Sequence, residues 1–416
     1  MTSRRPTRML PGKIMPTTPS DTIELNAGHD EPFRLSLRPG SLAAECRGPA
    51  GMAAADVAQR VADALTQPAD GPPLVEHVVE GDRIVVAVAD DIPEEQALLE
   101  AVVSTLASAG APPDRLEVLR LWTNRLKPVV PGANTSIFDP GNDVDTSYLM
   151  ADDEANPRYI ARPLVDADVV VSVGSFGWNA AVGGRATEGE LWPAFSRRAA
   201  SETLARSLAM RPRGSHRAWK TAAQEVLWQL GVIAELRAVP GCGNSLAEAS
   251  FGMEPGVTAA ARRAARAWTP RLARAAEVAM TTLSDPHAGL EAVVRAAAAA
   301  SRVTYPDGTV CVVSRLSEEP GIVFTRWRQG VGVEPLVKEA VRSSDVALIR
   351  DAMLTRQLAR SLGSRRLVLA SDLDEAAVES LDIGHAASAE DVARLATSAE
   401  SLIVLHEADR MLPRLA

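Results

Sequence analysis

Arg83-Ile84-Val85-Val86-Ala87-Val88-Ala89-Asp90-Asp91 is the stretch on which the fold turns. From Ile84 to Ala89 no polar residue interrupts the apolar run, and most of its members are β-branched. A strand with one face in water alternates polar and apolar residues. This one is therefore buried on both faces, as in a parallel sheet covered by helices. The neighbouring sequence repeats the theme. Residues 93–109 carry apolar side chains at helical spacing and residues 115–121 read as a second strand. Asp166-Ala167-Asp168-Val169-Val170-Val171-Ser172-Val173-Gly174 is a third strand that runs into a Gly-rich loop. Strand, helix and strand in succession predict right-handed crossovers and a doubly covered parallel sheet. Ligands bind such sheets beyond the carboxyl ends of the strands. The loops after Ala89, Leu121 and Val173 are therefore the first places to look.

Working outward, residues 22–25 and 33–37 read as short strands around the turn Asn26-Ala27-Gly28, and 53–66 as a helix ended by Gly71-Pro72-Pro73. Downstream, helices are expected over 191–213 and 216–230, a strand over 231–239 and a tight loop at Pro240-Gly241-Cys242-Gly243-Asn244. Past residue 256 the texture becomes rich in Ala and Arg, predicting helices over 258–279 and 287–301. Strands follow at 309–314, 366–370 and 401–406, with a helix over 375–381 capped by Ser371 or Asp372. Ser388 with Asp391 three residues on opens a further helix in capping-box style. The expectation is two α/β domains with mostly parallel sheets and an interdomain cleft. Residues 1–20 form a disordered tail, 20–255 the N-terminal domain and 256–416 the C-terminal domain.

Composition removes several function classes. A chain of 416 residues buries a large core unaided. Its 3 Cys are too far apart for a disulfide framework or a metal cage, and its 6 His form no His-x-x-x-His pair. No metal site is expected. A net charge of −9 and 4% aromatic residues argue against nucleic acid as a partner. No uncharged apolar run reaches the roughly 18 residues a membrane span needs. The first residues, with Arg4, Arg5 and Arg8 among prolines, lack the apolar core of a signal peptide. A soluble, cytoplasmic protein without a membrane partner is expected.

Four groups of residues are chemical candidates. Gly174-Ser175-Phe176-Gly177-Trp178-Asn179-Ala180-Ala181-Val182-Gly183-Gly184-Arg185 follows a strand. Its paired glycines, Gly183 and Gly184, can present successive N–H groups to an anion, and Arg185 a fork to a carboxylate or phosphate. Trp178 and Asn179 in the same loop complete that ligand-binding set. Such a loop is equally suited to a turn that needs positive φ. Asp90 and Asp91 lie where doubly wound folds place working groups, one facing the cleft while the other caps the helix near Pro93. Asn124, Arg125 and Lys127 follow Trp122 beyond the next strand and are suited to an acidic ligand. The acidic stretch from Asp139 to Glu154 lacks the EF-hand spacing and reads as a solvated loop.

At this point the residues resemble a known family. Gly71-Pro72-Pro73-Leu74, Gly81-Asp82-Arg83-Ile84-Val85-Val86, the 166–174 strand, Gly183-Gly184-Arg185 and Ala200-Ser201-Glu202-Thr203 look like the N-terminal domain of the nickel-dependent lactate racemase family. That similarity runs over about residues 33–205. A weaker one covers 281–406 through Pro306-Asp307-Gly308-Thr309, Asp374-Glu375 and Ser388-Ala389-Glu390-Asp391. The resemblance implies two α/β domains around a nickel-pincer nucleotide derived from nicotinic acid, whose ring accepts a hydride from Cα of a 2-hydroxy acid. It also implies two histidines that exchange the hydroxyl proton, a Lys after Gly-Gly-Arg that tethers the cofactor, and a His that binds nickel.

At those positions this sequence departs from the pattern. Ala186 stands where the tethering Lys belongs, Asn124 where the first His belongs, and about Leu208 where the nickel-binding His belongs. The second His falls in 176–179, which holds none, and Ile92-Pro93 replaces a Thr-Arg pair. An amide side chain is no general base near neutral pH.

Three readings follow. The first is a divergent member that binds a small anionic ligand, of the 2-hydroxy acid or sugar acid class, in the cleft. It holds no covalent nickel-pincer cofactor, and any isomerase-type chemistry falls to Asp90, Asp91, Asn124, Arg125 or Lys127. The second is an active racemase or epimerase using the nucleotide untethered. The third is a non-catalytic subunit or regulator, as a homo-oligomer or beside a related chain.

Overall fold

The computed structural model describes residues 22–122, 128–186, 190–232 and 234–416. In chain order the first half contains β1 (Thr22–Leu25), β2 (Phe33–Ser36), β3 (Leu42–Cys46), α1 (Ala54–Thr66), β4 (Ile84–Val88), α2 (Glu95–Ser108), β5 (Leu116–Leu121) and β6 (Asn134–Phe138). It continues through β7 (Thr146–Ala151), β8 (Pro157–Ala161), α3 (Arg162–Val165), β9 (Val169–Ser175), β10 (Trp178–Asn179), β11 (Gly184–Arg185), α4 (Leu191–Ala194), α5 (Arg198–Met210) and α6 (Pro212–Gln229). The strands β12 (Glu235–Pro240) and β13 (Leu246–Gly252) end it. The second half has α7 (Gly256–Ala264), β14 (Arg271–Leu272), β15 (Ala276–Thr282), α8 (Leu290–Ser301), β16 (Thr304–Val313), α9 (Ile322–Arg328), α10 (Val333–Ala340) and α11 (Val346–Leu362). After these come β17 (Arg366–Ala370), α12 (Glu375–Ser380), β18 (Gly384–His385), α13 (Ala389–Ser398), β19 (Leu402–Leu405) and β20 (Arg414–Leu415), which pairs with β14.

Two six-stranded sheets organise the molecule. The first runs β13-β12-β9-β4-β5-β6 and is parallel except for β13. The second runs β18-β17-β16-β15-β19-β3 and is parallel throughout. The apolar run in β4 is split by the pleat: Ile84, Val86 and Val88 enter one core, Val85 and Ala87 the core on the opposite face. In β19 the same rule sends Leu402 and Val404 one way and Ile403 and Leu405 the other. The mixed α/β architecture with mostly parallel sheets read from the sequence is the one found.

Three local expectations are corrected. Residues 258–279 are not one helix: α7 stops at Ala264, Pro270 removes a donor, and Ala276 to Ala279 begin the buried strand β15. Residues 191–213 break into α4 and α5, with Trp192 extended (φ −110, ψ 130) before Pro193. Neither Ser371 nor Asp372 caps α12; Asp374 does, accepting from the Ala376 N–H, while Ser388 and Asp391 form the expected reciprocal capping box. The chain start also holds a long-range surprise. β3 pairs with β19 and the β1–β2 hairpin packs on the same sheet through Ile23, Leu25 and Leu35. β3 thus completes the second sheet, and β1 and β2 form a separate two-stranded sheet packed against it.

Candidate functional site

The loops at the carboxyl ends of β4 and β12 in one sheet meet those of β15 and β19 in the other. Arg410, in the 3₁₀ turn Ala408–Arg410 after β19, spans the junction: its Nη2 donates to Asn244 Oδ1 at 2.8 Å and lies 3.6 Å from Asp91 Oδ2. Glu407 Oε1 accepts from the Gly243 N–H at 2.9 Å, and the Glu407 N–H donates to Thr282 Oγ1 at 3.0 Å. Asp409 fastens the other side by accepting from the Ser284 N–H and Oγ at 2.8 and 2.6 Å. Asp91, Asn244 and Glu407 all take left-handed backbone, at φ 59, 59 and 56. Each such residue costs on the order of 1–3 kcal/mol, and strain of this kind concentrates at functional sites.

Beside this junction lies a cavity of about 270 Å³ walled by Arg47, Cys242, Thr282, Leu283, His406 and Glu407, with the β1–β2 hairpin completing it. Its chemistry is uneven. Burial pushes the Glu407 carboxyl above its ordinary range, against the Gly243 N–H and the charge of Arg410. Among the described residues, Glu407 Oε2 and Arg410 Nη1 are buried with no hydrogen-bond partner. Burial, then the charge of Arg47, lowers the His406 imidazole, whose Nε2 meets Glu45 Oε1 at 2.9 Å. Burial opposes ionisation of Glu45, but hydrogen bonds from Arg47 and His406 outweigh it and hold its carboxyl low. A neutral imidazole donating to a carboxylate fits both directions. Cys242 is pushed up by burial, then by Glu407, and stays a thiol, not a nucleophilic thiolate. The cavity offers a guanidinium for an anion and a partly neutral carboxyl for a hydroxyl.

The sequence candidates divide. Asp91 belongs to the junction. Neither it nor Asp90 caps α2, because that helix begins at Glu95 after a left-handed Glu94 with no side-chain cap. Asp90 is half-buried at the end of β4. Trp178 and Asn179 form β10, which pairs with Gly184 and Arg185 of β11 and abuts the Arg410 turn. Asn179 Oδ1 accepts from the Ala181 N–H at 3.0 Å, and Gly183 turns the chain at φ 74. Gly184 lies under His216, whose Nε2 donates to the Arg185 carbonyl at 2.6 Å; a Cβ there would come within 3.0 Å of the ring.

The Arg185 guanidinium itself is engaged. It pairs with Glu190, donates to Thr258 Oγ1 at 2.8 Å, and lies 3.8 Å from Glu254. Arg237, fully buried in β12, pairs with Glu235 and approaches Glu190 at 3.7 Å. Burial opposes ionisation of Glu190, but Arg237 and Arg185 together hold its carboxyl low. Lys220 borders the network, and burial, then repulsion from Arg185, lowers its amine to about 8. Asn124, Arg125 and Lys127 lie outside the described residues.

Comparison with known proteins now places the architecture. No family model matches the sequence, and no curated protein matches it. Among solved structures, the lactate racemase apoprotein from Thermoanaerobacterium thermosaccharolyticum is similar with a TM-score of 0.70 and 15% identity, covering 94% of this chain and 99% of that one. The chain has the lactate-racemase fold. A protein from Thermotoga maritima is similar with a TM-score of 0.63 and 10% identity, over 89% of this chain and 100% of that one. Within this fold the junction described above joins the two sheets, and Ala186 follows the Gly-Gly-Arg segment with its N–H on the Gly177 carbonyl at 2.9 Å. Among the described residues no group of three or more His, Cys, Asp and Glu is arranged to hold a metal, and no helix is long and apolar enough to cross a membrane.

Sequence reasoning missed Arg47, Glu407 and Arg410. One signal was available: His406-Glu407 directly follow a buried apolar strand, the position at which α/β sheets place ligand-binding groups.

Proposed function

We propose that the cavity at the junction of the two sheets receives a small hydroxylated carboxylate of the 2-hydroxy acid or sugar acid class, with no covalently held nickel-pincer nucleotide. The observation that carries this is the pairing, in one pocket, of the exposed Arg47 guanidinium with a buried Glu407 oxygen that has no partner. Arg47 is held by Glu45 at 2.7 Å, with more than half of its side chain in solvent. An exposed pair of this kind is worth under about 1 kcal/mol, so an incoming carboxylate displaces Glu45 cheaply. Withdrawing Arg185 from Glu190 would strip a buried pair, at about 3–5 kcal/mol. The ligand's carboxylate therefore goes to Arg47, and its hydroxyl to Glu407 Oε2. Arg410 positions Glu407 from the junction. The similarity to lactate racemase agrees with a 2-hydroxy acid as the ligand class.

The cofactor that the family resemblance implies does not fit these residues. Ala186 has no amine to anchor it, and the nearby His216 already spends its Nε2 on the Arg185 carbonyl. The test is a thermal-shift titration of the full chain with lactate, malate and gluconate, together with intact mass and nickel content. A ligand at 100 times its Kd raises stability by about 2.7 kcal/mol. The reading fails if none of the acids raises the melting temperature, or if Arg47→Ala responds as the parent does. Stoichiometric nickel or a nucleotide mass excess overturns the absence of the cofactor and favours a racemase or epimerase that uses it.

A further inference from the structure

A second cavity lies elsewhere, between the β7–β8 hairpin and the helices α4, α5 and α6, with a volume of about 840 Å³. Pockets of roughly 300–1,000 Å³ hold small ligands. It stays open because the helices turn small residues to it, among them Ala199, Ala200 and Ser207 of α5 and Ala218 of α6. Two indoles form its wall. Trp192 and Trp219 meet edge to face at 4.0 Å between centroids, and Trp192 is only 6% exposed. Among the described residues, neither indole N–H has a hydrogen-bond partner, although both nitrogens are buried. A buried donor left unpaired costs about 1–3 kcal/mol, and two in one cavity wall ask for acceptors. The same cavity also presents acceptors: Asp152, Asp153 and Glu154 in the hairpin turn, and Glu225 on α6.

We propose that this cavity is a saccharide site, one that does not depend on the pocket at the junction. The chemistry of the walls selects the class. Four carboxylates outnumber the two guanidinium groups in the lining, Arg158 and Arg197, and Arg158 is already paired with Glu225, so the balance of charge disfavours an anion. A cation satisfies the carboxylates but offers nothing to the indole N–H groups, and Arg158 already occupies the face of Trp192 at 5.2 Å while paired with Glu225 at 2.7 Å. A hydroxyl donates to a carboxylate and accepts from an N–H at once. A ring bearing several hydroxyls, with a C–H face to lay on Trp219, satisfies the carboxylates and the N–H donors together. The turn is built in advance for this: Asp152 Oδ1 accepts from the Glu154 and Asn156 N–H groups at 3.1 and 2.8 Å, and Ala155 holds a left-handed φ of 62.

The experiment is a titration of the full-length chain with glucose, galactose, N-acetylglucosamine, maltose and cellobiose, followed by indole emission and by melting temperature. At least one of these is expected to give a saturable change in both. Trp219→Phe keeps an aromatic face and loses the N–H, and should weaken that binding about tenfold. Ala200→Leu fills the cavity without touching either indole nitrogen and should abolish it. Retained binding in Ala200→Leu places the ligand elsewhere and overturns the proposal. So does the absence of any response up to saturating sugar, or a response to adenosine alone. Because the acids of the preceding test bind at the junction, either site can fail without the other.

Discussion

Two places in this molecule set arginines against carboxylates, and they differ in how far each lies from solvent and in how strained its backbone is. Around Arg185 and Arg237 both guanidinium groups meet carboxylates of their own chain, at Glu190, Glu235 and Glu254, with side chains 2% to 11% exposed for the two arginines. Around Arg47 and Arg410 the guanidinium groups have partners too. There, however, one pair stands in solvent, and Asp91, Asn244 and Glu407 hold left-handed backbone. A buried ion pair closed on itself fixes the fold near it. A junction with strained backbone and a solvent-exposed pair is suited to something that comes and goes.

The difference can be broken by substitution, and the largest effect belongs to the closed network. Arg237→Met leaves Glu235 uncompensated in the core and Glu190 with Arg185 alone, and should cost about 3–5 kcal/mol in urea unfolding. A loss below about 1 kcal/mol would mean that the network is as loosely held as the junction. Arg47→Ala should behave the opposite way. Its stability should stay within about 0.5 kcal/mol of the parent. Loss of one charged hydrogen bond should weaken binding of the responding hydroxy acid by about 1.5–3 kcal/mol, read by calorimetry.

Smaller effects sharpen the contrast through pH. The Glu407 carboxyl is raised by burial, so the unfolded chain releases this proton first, near the ordinary value of 4.5. Above that point the folded state binds more protons than the unfolded one, and stability falls as pH rises toward the folded value. Glu407→Gln keeps an acceptor for Gly243 and removes that cost. Its melting temperature should match the parent's near pH 4.5 and exceed it at neutral pH.

Lys220 gives an effect with the opposite slope. Its amine titrates near 8 when folded and 10.5 when unfolded, so stability from this group rises with pH between those values. Lys220→Met should melt higher than the parent below pH 8, and the advantage should vanish as pH approaches 10.5. An advantage unchanged across that window would show that the gain comes from packing alone.

How much of this was legible beforehand depended on the range of the interaction. Ile84–Val88 announced a strand covered on both faces because its own residues record that burial. Ser388 and Asp391 announced a helix start because a capping box is closed within four residues. The helix expected through Ala276 failed where local texture misled: small apolar residues suit a buried strand as well as a helix. Arg185 was correctly seen beside a glycine turn. That its guanidinium meets Thr258 and Glu254 as well as the nearby Glu190 depends on a segment some seventy residues away.

By itself, then, the order of residues determined the alternation of strands and helices, the doubly buried sheets, and which loops stand at their carboxyl ends. These follow from periodicity and from backbone preferences that act over a few residues. Only the tertiary structure decided that β3 crosses to the far sheet, that Arg410 reaches Asp91 and Asn244, and that Glu407 faces a cavity with an oxygen to spare. Those are encounters between segments hundreds of residues apart. Their energy lies in burial and charge pairing, which no local pattern encodes.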